Sequence, residues 1–262
     1  MEVLIARDSD SAAALAAEVV VESLPDDGPT VLGLATGSSP LGLYRRLRDL
    51  ALEGRLPVAE MSGVALDEYV GLPDGHVQSY RAVLEREFCD VVGLSRDRLH
   101  VPVGSGRSLS ELTAAADAYE RRIEELGGVD VQILGIGANG HLGFNEPGSA
   151  LTSRTRVKRL SERTRTDNAR FFGRLDDVPT HCITQGLGTI LAARRLVLVA
   201  TGEAKAHAVA AALEGPLTAS CPASVLQWHA DVVVVLDETA AQRLRNRSYY
   251  DASARGLSLP GR

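Results

Sequence analysis

No run of apolar residues in this sequence is long enough to cross a membrane as a helix. Such a helix needs about 20 consecutive apolar residues, and no stretch of the 262-residue chain approaches that length. The first eight residues, MEVLIARD, also lack the basic and then apolar layout that is typical of a signal peptide. We therefore expect no membrane partner and a cytoplasmic location.

Cysteine is scarce, and its three copies, Cys89, Cys182 and Cys221, lie far apart in the chain. Their spacing matches neither a disulfide framework nor a zinc pattern, so reduced thiols in a cytoplasm are the simplest account. The six histidines show no spacing that is typical of metal ligands either. The sequence therefore offers no metal site.

Lysine is rarer still. Of 28 lysine and arginine residues only Lys158 and Lys205 are lysine, so the other 26 are arginine. Genome composition is the first explanation of this bias, but each remaining lysine is also a candidate for a position that needs a compact, flexible charge. The formal net charge of −6 argues against a nucleic-acid partner, because nucleic-acid-binding faces are usually basic. A small anionic substrate is still compatible with this charge.

The chain has the composition of an ordinary globular protein, at 45% hydrophobic and 24% charged residues. Short apolar runs predict strands at 30–35, 64–66, 131–134, 196–200 and 232–236. Between them, helical spacing of apolar residues predicts helices at 9–23, 41–52, 79–88, 110–126, 184–192 and 204–213. This alternation predicts an α/β fold with a mainly parallel central sheet and helices on both faces.

We expect one domain over residues 1–262, with no repeat, low-complexity tract or linker. Within it, the polar, arginine-rich segment around 149–185 is either a mobile lid or a solvated surface helix and loop. Ligands of such sheets bind beyond the carboxyl ends of the strands. The polar residues Thr36, Asp67 and His141 each follow a predicted strand. The sequence therefore predicts one site that contains all three.

Residues 134–147, LGIGANGHLGFNEP, are the most informative stretch. Their glycines allow sharp turns and close approach of a ligand to the backbone. Asn139, His141 and Glu146 lie among them, and could form a proton relay in which the histidine is acid or base and the carboxylate orients it. The alternative is a glycine-rich turn whose histidine only caps a helix.

A second loop, Thr36, Gly37, Ser38 and Ser39, lies between a predicted strand and a helix that starts with Pro40. Small residues before a helix expose backbone N–H groups at its positive end, which suits a phosphate. The loop matches neither the Walker A pattern nor the dinucleotide-binding fingerprint. The alternative is a well-capped helix start.

Three further residues have side chains that suit the same site. Asp67 is followed by Glu68 at the end of a buried strand, so only one of the two carboxylates should enter a given cleft. A carboxylate beside apolar residues can act as a general base, although a capping aspartate is the alternative. Arg170 and Lys205 are candidate phosphate-binding cations, and ordinary surface charges are the alternative for both.

Taken together, these motifs resemble the glucosamine/galactosamine-6-phosphate isomerase family. The resemblance rests on ATGSSP at 35–40, LDEYVGL at 66–72, GIGANGHLGFNEP at 135–147, SRTR at 153–156, TQGLGTI at 184–190, EGP at 214–216 and PASVLQ at 222–227. It covers nearly the whole chain in order. It implies a Rossmann-like α/β fold and conversion of glucosamine 6-phosphate and water into fructose 6-phosphate and ammonia, without a metal or organic cofactor.

The resemblance also implies a role for each candidate residue. Asp67 falls on the base that moves a proton between C2 and C1 of the open-chain sugar. His141 falls on the residue that promotes ring opening, with Asn139 and Glu146 as its partners. The phosphate pocket falls on Thr36, Gly37, Ser38, Ser39, Arg170 and Lys205. Members of the family have aspartate or asparagine at position 139, and we expect the asparagine here to leave deamination intact while changing its pH dependence.

Allosteric members of the family bind N-acetylglucosamine 6-phosphate between subunits. The residues that they use correspond to Ser149, Arg156 and Lys158, whose side chains all suit a phosphate. The resemblance thus implies an activator site and a homo-oligomer, although monomeric members without activation also occur. Three alternatives are a 6-phosphogluconolactonase, a deaminase for the galactosamine epimer, and a non-catalytic sugar-phosphate sensor.

Overall fold

The structure is a computed structural model that describes residues 1–25 and 28–256. The strands are β1 (Glu2–Ala6), β2 (Thr30–Leu34), β3 (Met61–Ala65), β4 (Asp67–Tyr69), β5 (Leu99–His100), β6 (Val131–Leu134), β7 (Arg156–Arg159), β8 (His181–Thr184), β9 (Arg195–Ala200) and β10 (Val232–Asp237). The helices are α1 (Ser9–Glu22), α2 (Pro40–Leu52), α3 (Tyr80–Leu84), α4 (Asp90–Val92), α5 (Leu109–Glu125), α6 (Glu162–Phe172), α7 (Leu187–Ile190), α8 (Ala206–Glu214), α9 (Glu238–Ala241) and α10 (Arg247–Gly256). A π-helical turn at Glu85–Cys89 joins α3 to α4.

A seven-stranded sheet in the order β1-β10-β9-β6-β2-β3-β5 forms the centre of the molecule. Every pair of neighbouring strands in it is parallel. All residues of β2, β6 and β10 are buried, which shows that both faces of the sheet are covered. The predicted α/β fold with a parallel central sheet is therefore confirmed.

Local capping explains where several helices begin. The Asp8 carboxylate accepts a hydrogen bond of 2.8 Å from the backbone N–H of Ser11 and so starts α1. Ser108 and Ser161 cap α5 and α6 in the same way. Pro40 occupies the first position of α2, where no backbone donor is lost. These caps fix the directions in which the loops after the strands leave the sheet.

A second, antiparallel sheet of three strands, in the order β4-β8-β7, lies beside the first. The helix predicted over 184–192 is wrong at its start. Thr184 belongs to β8, where it pairs with both Asp67 and Arg156, and only Leu187–Ile190 is α-helical. The segment 149–185 thus contributes two strands and α6, and residues 182–184 are fully buried. Its expected mobility as a lid stays a prediction.

The chain order places a crevice between β6 and β2. From β2 the chain proceeds to β3 and β5 on one side, whereas β6, β9 and β10 follow on the other side. Loops that leave neighbouring parallel strands in opposite directions open a cleft at their carboxyl ends.

Within residues 1–25 and 28–256, no helix is both long and apolar enough to cross a membrane.

Candidate active site

A cavity of about 470 Å³ lies at this crevice. The loops after β2, β3, β6 and β9 all contribute to its wall, and α6 contributes a further side. The candidate residues that line it are Thr36, Gly37, Ser38, Ser39, Asp67, His141, Arg170 and Lys205. Residues far apart in the sequence are thus brought to one cavity, and Thr36, Asp67 and His141, which each follow a predicted strand, are among them.

The loop before α2 forms one end of the cavity. Gly37 has a φ of +96°, which is a backbone conformation that favours glycine, and Ser39 directly precedes the helix. Tyr44 fixes the start of the loop, because its hydroxyl donates to the carbonyl of Ala35 at 2.6 Å and accepts from the amide of Ala35 at 3.1 Å. The positive end of α2 therefore faces the cavity and suits an anionic group.

Two cations line the cavity together with this loop. Lys205 precedes α8, and its Nζ donates to the backbone carbonyl of Ile136 at 2.7 Å. Burial and the nearby Arg170 lower the pKa of Lys205, and Asp167 opposes that effect. Arg170 is exposed on α6, with its guanidinium 4.7 Å from the centre of the Phe171 ring. The pair can bind a phosphate from two sides.

Asp67 is a buried carboxylate on the cavity wall, with 5% of its surface exposed. Burial, supported by the charge of Glu68, raises the pKa of Asp67 well above its ordinary value. Gly143 approaches it closely, since a Cβ on that glycine would lie 3.1 Å from Asp67 Oδ2. A poorly solvated carboxylate of this kind suits the exchange of protons with carbon.

Glu68 points away from the cavity, as the alternation of strand side chains predicted. Its Oε1 accepts from the backbone amides of Tyr69 and Tyr80, each at 2.8 Å, and its Oε2 accepts from that of Arg81 at 2.9 Å. Burial raises the pKa of Glu68, and these three donors oppose the effect. Glu68 therefore holds the start of α3 against β4, and Asp67 alone of the two enters the cavity.

Asn139, His141 and Glu146 form a connected relay. Asn139 Nδ2 donates to Glu146 Oε2 at 2.8 Å, and Asn139 Oδ1 lies 2.7 Å from His141 Nδ1. The distance from His141 Nδ1 to Glu146 Oε2 is 3.9 Å. Only His141 of the three lines the cavity, so the other two support it from behind.

The relay fixes the tautomer of His141. A carboxylate oxygen only accepts, so the amide nitrogen of Asn139 must face Glu146 and its carbonyl oxygen must face the histidine. Nδ1 of His141 therefore carries the proton that is donated to Asn139. In the neutral imidazole, Nε2 is then the free base.

Burial keeps the histidine neutral, and hydrogen bonds keep the glutamate ionised. Burial lowers the pKa of His141. The charges of Glu146 and Asp167 oppose this effect, whereas those of Lys205 and Arg163 add to it. Burial alone would raise the pKa of Glu146, but hydrogen bonds from Thr164, Asn139 and Ser161 and the charge of His141 bring it below its ordinary value. Neutral imidazole and carboxylate are the forms that a base and its orienting partner need.

The candidate activator residues Ser149, Arg156 and Lys158 lie outside the cavity lining. Arg156 and Lys158 are alternate residues of β7 and so share a face of that strand. Arg156 Nη1 donates to Oδ1 of the buried Asn145 at 2.8 Å, and burial lowers the pKa of Arg156. Ser149 is 3% exposed, and its hydroxyl has no hydrogen-bond partner within the described residues.

Sequence reasoning missed several residues of the cavity lining, among them Tyr80, Arg86, Thr164, Asp167 and Asn168. Tyr80 lines the cavity together with Thr36, and its hydroxyl lies 3.3 Å from that of Tyr69. Asp167 could have been found from its spacing, because it lies three residues before Arg170 on α6 and so on the same face of the helix. No comparable signal in the sequence marks Tyr80 or Arg86.

No cluster of three or more potential ligands in the described part of the chain is arranged to hold a metal ion. The cavity instead combines an anion-binding helix start, two cations, a buried carboxylate and a neutral histidine with a defined tautomer. Such a set can bind a phosphorylated molecule at one end and transfer protons at the other.

Comparison with known proteins relates this arrangement to one family. The family model described as glucosamine-6-phosphate isomerases/6-phosphogluconolactonase matches residues 7–235. The glucosamine-6-phosphate deaminase of Rhodococcus jostii (strain RHA1) is 54% identical over 250 residues, which cover 95% of each chain. That of Cutibacterium acnes (strain DSM 16379 / KPA171202) is 50% identical over 250 residues, again 95% of each chain.

Solved structures give the same result. A monomeric glucosamine-6-phosphate deaminase superposes with a TM-score of 0.87 and 38% identity, over 93% of this chain and 100% of that chain. The 6-phosphogluconolactonase from Trypanosoma brucei shares the fold, with a TM-score of 0.73 at 21% identity over 93% of this chain and 98% of its own. The chain therefore belongs to the glucosamine-6-phosphate isomerase/6-phosphogluconolactonase family.

Proposed function

We propose that this protein is a glucosamine-6-phosphate deaminase, which converts glucosamine 6-phosphate and water into fructose 6-phosphate and ammonia. The observation that carries the proposal is the presence of the buried Asp67 carboxylate and the neutral His141 in one cavity with an anion-binding loop. The 54% identity to a deaminase over 95% of both chains supports it.

The sugar ring must open first, because a proton at C2 becomes acidic only beside an aldehyde at C1. Nε2 of neutral His141 takes the proton of the C1 hydroxyl, and the imidazolium gives a proton to the ring oxygen as the C1–O bond breaks. Asn139 accepts from Nδ1 throughout and keeps Nε2 directed at the sugar. Glu146 stabilises the transient imidazolium.

Asp67 then acts on the open-chain sugar. Its carboxylate removes the C2 proton while the ammonium group of the substrate gives a proton to O1, which forms an enolamine, and the resulting acid gives its proton to C1. The product is an imine at C2, to which water adds, and ammonia leaves as the ketone of fructose 6-phosphate forms. The raised pKa of Asp67 suits both halves of this transfer.

The phosphate is distant from the bonds that change. The backbone of Thr36–Ser39 at the start of α2 would hold it together with Lys205 and Arg170. Binding energy from this end would orient C1 and C2 against His141 and Asp67.

The deciding experiment measures ammonia and fructose 6-phosphate together after incubation with glucosamine 6-phosphate. We expect equal amounts of both products, and loss of both in Asp67→Asn. Release of ammonia only from galactosamine 6-phosphate would assign the epimer instead. Hydrolysis of 6-phosphogluconolactone without ammonia from either amino sugar would assign the lactonase, and phosphate-dependent binding without turnover of any of them would assign a sensor.

The activator site is a separate part of the proposal. The buried, unpartnered hydroxyl of Ser149 and the half-buried guanidinium of Arg156 support a phosphate site with Lys158 at β7. We expect N-acetylglucosamine 6-phosphate to lower the substrate concentration at half-saturation, and Lys158→Met to remove this effect. Arg159→Met, one residue further on and exposed, is the matched control. An identical response to the activator in Lys158→Met would contradict the site.

A homo-oligomer belongs to the same proposal, since an activator site between subunits requires one. Exposed large apolar side chains such as Trp228 and Leu217 are compatible with a partner copy. Light scattering after gel filtration, with and without the activator, would give the mass, and a monomer in both conditions would contradict this part.

The remaining proposals concern the location and the organisation of the chain. Cys89, Cys182 and Cys221 are free and buried, which suits the reducing conditions of a cytoplasm.

We further propose a single domain in which the segment 149–185 moves as a lid. Hydrogen exchange that slows in this segment when substrate analogues bind would support the lid, and unchanged exchange there would contradict it.

A further inference from the structure

The first turn of α6 contacts the relay through two hydroxyl groups. Ser161 is the N-cap of this helix, and its Oγ accepts from the backbone amide of Thr164 at 3.1 Å. The same Oγ lies 3.0 Å from Glu146 Oε1, to which it can donate its proton. The Thr164 hydroxyl also donates to Glu146 Oε1. The cap uses the Ser161 oxygen only as an acceptor, so the hydroxyl proton is available to Glu146 and the residue can do more than begin a helix.

Glu146 therefore divides its two oxygens between two parts of the molecule. Oε1 accepts from the start of α6, and Oε2 accepts from Asn139. Glu146 is 9% exposed and Thr164 is 4% exposed, so water competes little for these bonds. A buried carboxylate with donors on both sides is held in one position.

We propose that Ser161 and Thr164 are positioning residues that set the acid–base behaviour of His141 by holding the Glu146 carboxylate. The proposal rests on the deaminase reaction, in which His141 opens the sugar ring. It assigns to α6 a role in the proton relay in addition to its contribution to the phosphate pocket.

The electrostatics around His141 agree with this role. The charged groups that act on the histidine are Glu146 on its own loop, Asp167 and Arg163 on α6, and Lys205 before α8. Among them Glu146 has the largest effect, and it favours the imidazolium. Hydrogen bonds from Thr164 and Ser161 favour the charged carboxylate and so sustain that effect.

The same helix connects the relay with the far end of the substrate. Arg170 lies on α6 less than two turns after Thr164, and both residues line the cavity. A phosphate bound by Arg170 would therefore act on the same helix whose first turn holds Glu146. Binding energy from the phosphate end of the sugar would in this way lower the activation barrier of the reaction at C1 and C2 and so raise kcat.

Thr164→Val tests the proposal, because it removes the hydroxyl and keeps the shape of the side chain. We expect kcat to fall about tenfold, as for loss of one hydrogen bond to a charged group, and the shape of the pH–rate profile to change. Thr164→Ser keeps the hydroxyl and should retain the profile. Thr166→Val, the same substitution at an exposed position of α6, is the matched control and should leave rate and profile unaltered.

A substitution that merely loosened the fold would lower the rate at every pH by the same factor. A Thr164→Val profile that scales in this way would therefore overturn the proposal. So would a Thr164→Ser variant that behaves like Thr164→Val, since the methyl group and not the hydroxyl would then be responsible.

Histidine titration by NMR gives a readout that needs no substrate. We assign the His141 signal by its loss in His141→Gln and compare the unmodified protein with Thr164→Val. A Glu146 carboxylate that is less firmly held stabilises the imidazolium less, so the His141 signal should titrate at lower pH. If the unmodified protein lacks deaminase activity but this shift occurs, the reaction is misassigned and the positioning stands. If deamination occurs and the shift does not, the positioning fails.

A double-mutant cycle identifies the carboxylate as the intermediary. In a Glu146→Gln background the hydroxyl of Thr164 no longer contacts a charge, so Thr164→Val should cost little beyond Glu146→Gln alone. If Thr164→Val instead lowered the rate by the same factor in both backgrounds, Thr164 would act by another route and the proposal would be overturned.

Discussion

The side-chain carbonyl oxygen of Asn139 lies 2.7 Å from Nδ1 of His141. An amide at this position orients the imidazole without adding a charge to it. Among the described residues, Glu146 is the carboxylate in contact with Asn139 and His141, and the Asn139 amide nitrogen donates to it. Asn139 therefore orients the imidazole without adding a charge, and Glu146 supplies the negative charge.

Asn139→Asp should merge these two functions. The new carboxylate would replace a donor 2.8 Å from Glu146 Oε2, so the two acids would repel each other or share a proton. Its charge would also favour the imidazolium and raise the pKa of His141. Because ring opening needs neutral His141, we expect the acid limb of the kcat/KM profile to move to higher pH, while deamination persists.

The control for this change is Asn246→Asp, which adds the same charge at an exposed position outside the cavity. Its profile should match that of the unmodified protein. A profile for Asn139→Asp that also matches it would show that the charge at position 139 has no influence on the relay.

Asp67→Asn should abolish turnover and at the same time stabilise the fold. The pKa of Asp67 is raised in the folded protein, so folding loses free energy as the pH rises above the ordinary aspartate value of about 4. Asparagine carries no such cost. We expect the free energy of unfolding at pH 7 to increase by about 1 kcal/mol, and Tm to rise by about 2–4 °C.

The sign of this effect is testable by lowering the pH. The stability difference between Asp67→Asn and the unmodified protein should shrink as the pH falls through about 4 and below, because aspartate then becomes protonated in the unfolded state as well. Burial raises the pKa of Glu68 as well, but Glu68→Gln should lower Tm. A glutamine has one acceptor oxygen, so at least one of the three backbone amides loses its acceptor, and this loss should outweigh the relief of the buried charge. Equal destabilisation by both substitutions would refute the distinction between the two carboxylates.

Much of this site could be predicted from the sequence because its parts follow buried strands. Runs such as 196–200, with the sequence LVLVA, are apolar throughout, which marks them as central parallel strands, and the polar residues after them must meet at one edge. The small antiparallel sheet was not predictable in this way. Its strand β4 has three residues, and β7, with the sequence RVKR, shows no regular alternation of apolar and polar residues.

Thr164 and Asn168, which contact the site from α6, were also missed, for a different reason. Glu146 and Thr164 are 18 positions apart, and Tyr69 and Asn168, whose side chains are hydrogen-bonded at 2.9 Å, are 99 positions apart. Contacts of this kind depend on how α6 packs over the strands. Helical periodicity predicts which face of a helix is buried but not which distant side chain it meets.

Gly137→Ala should displace the catalytic imidazole. A Cβ at this position would lie 2.2 Å from Cε1 of His141, closer than any real contact, so the ring must move. A displacement of about 1 Å costs roughly 100-fold in rate, and we expect a loss of kcat of that order. Gly135→Ala is the control, because its Cβ would meet Ser39 at an ordinary distance of 3.7 Å.

The loss in Gly135→Ala should be much smaller than in Gly137→Ala. Circular dichroism should show that both variants keep the fold. Comparable kcat values for the two variants would mean that the position of the His141 ring in this structure does not limit the reaction.

Lys205→Met should weaken substrate binding with a smaller effect on kcat. Loss of a charged partner for the phosphate should raise KM about tenfold or more, and Arg243→Met, at an exposed position outside the cavity, should leave KM unchanged.

The lowered pKa of Lys205 adds a pH dependence to this prediction. The free enzyme loses this charge at a lower pH than an ordinary lysine would, so kcat/KM of the unmodified protein should fall on the alkaline side. Lys205→Met should lack that fall, and an unchanged alkaline limb in this variant would exclude Lys205 as its source.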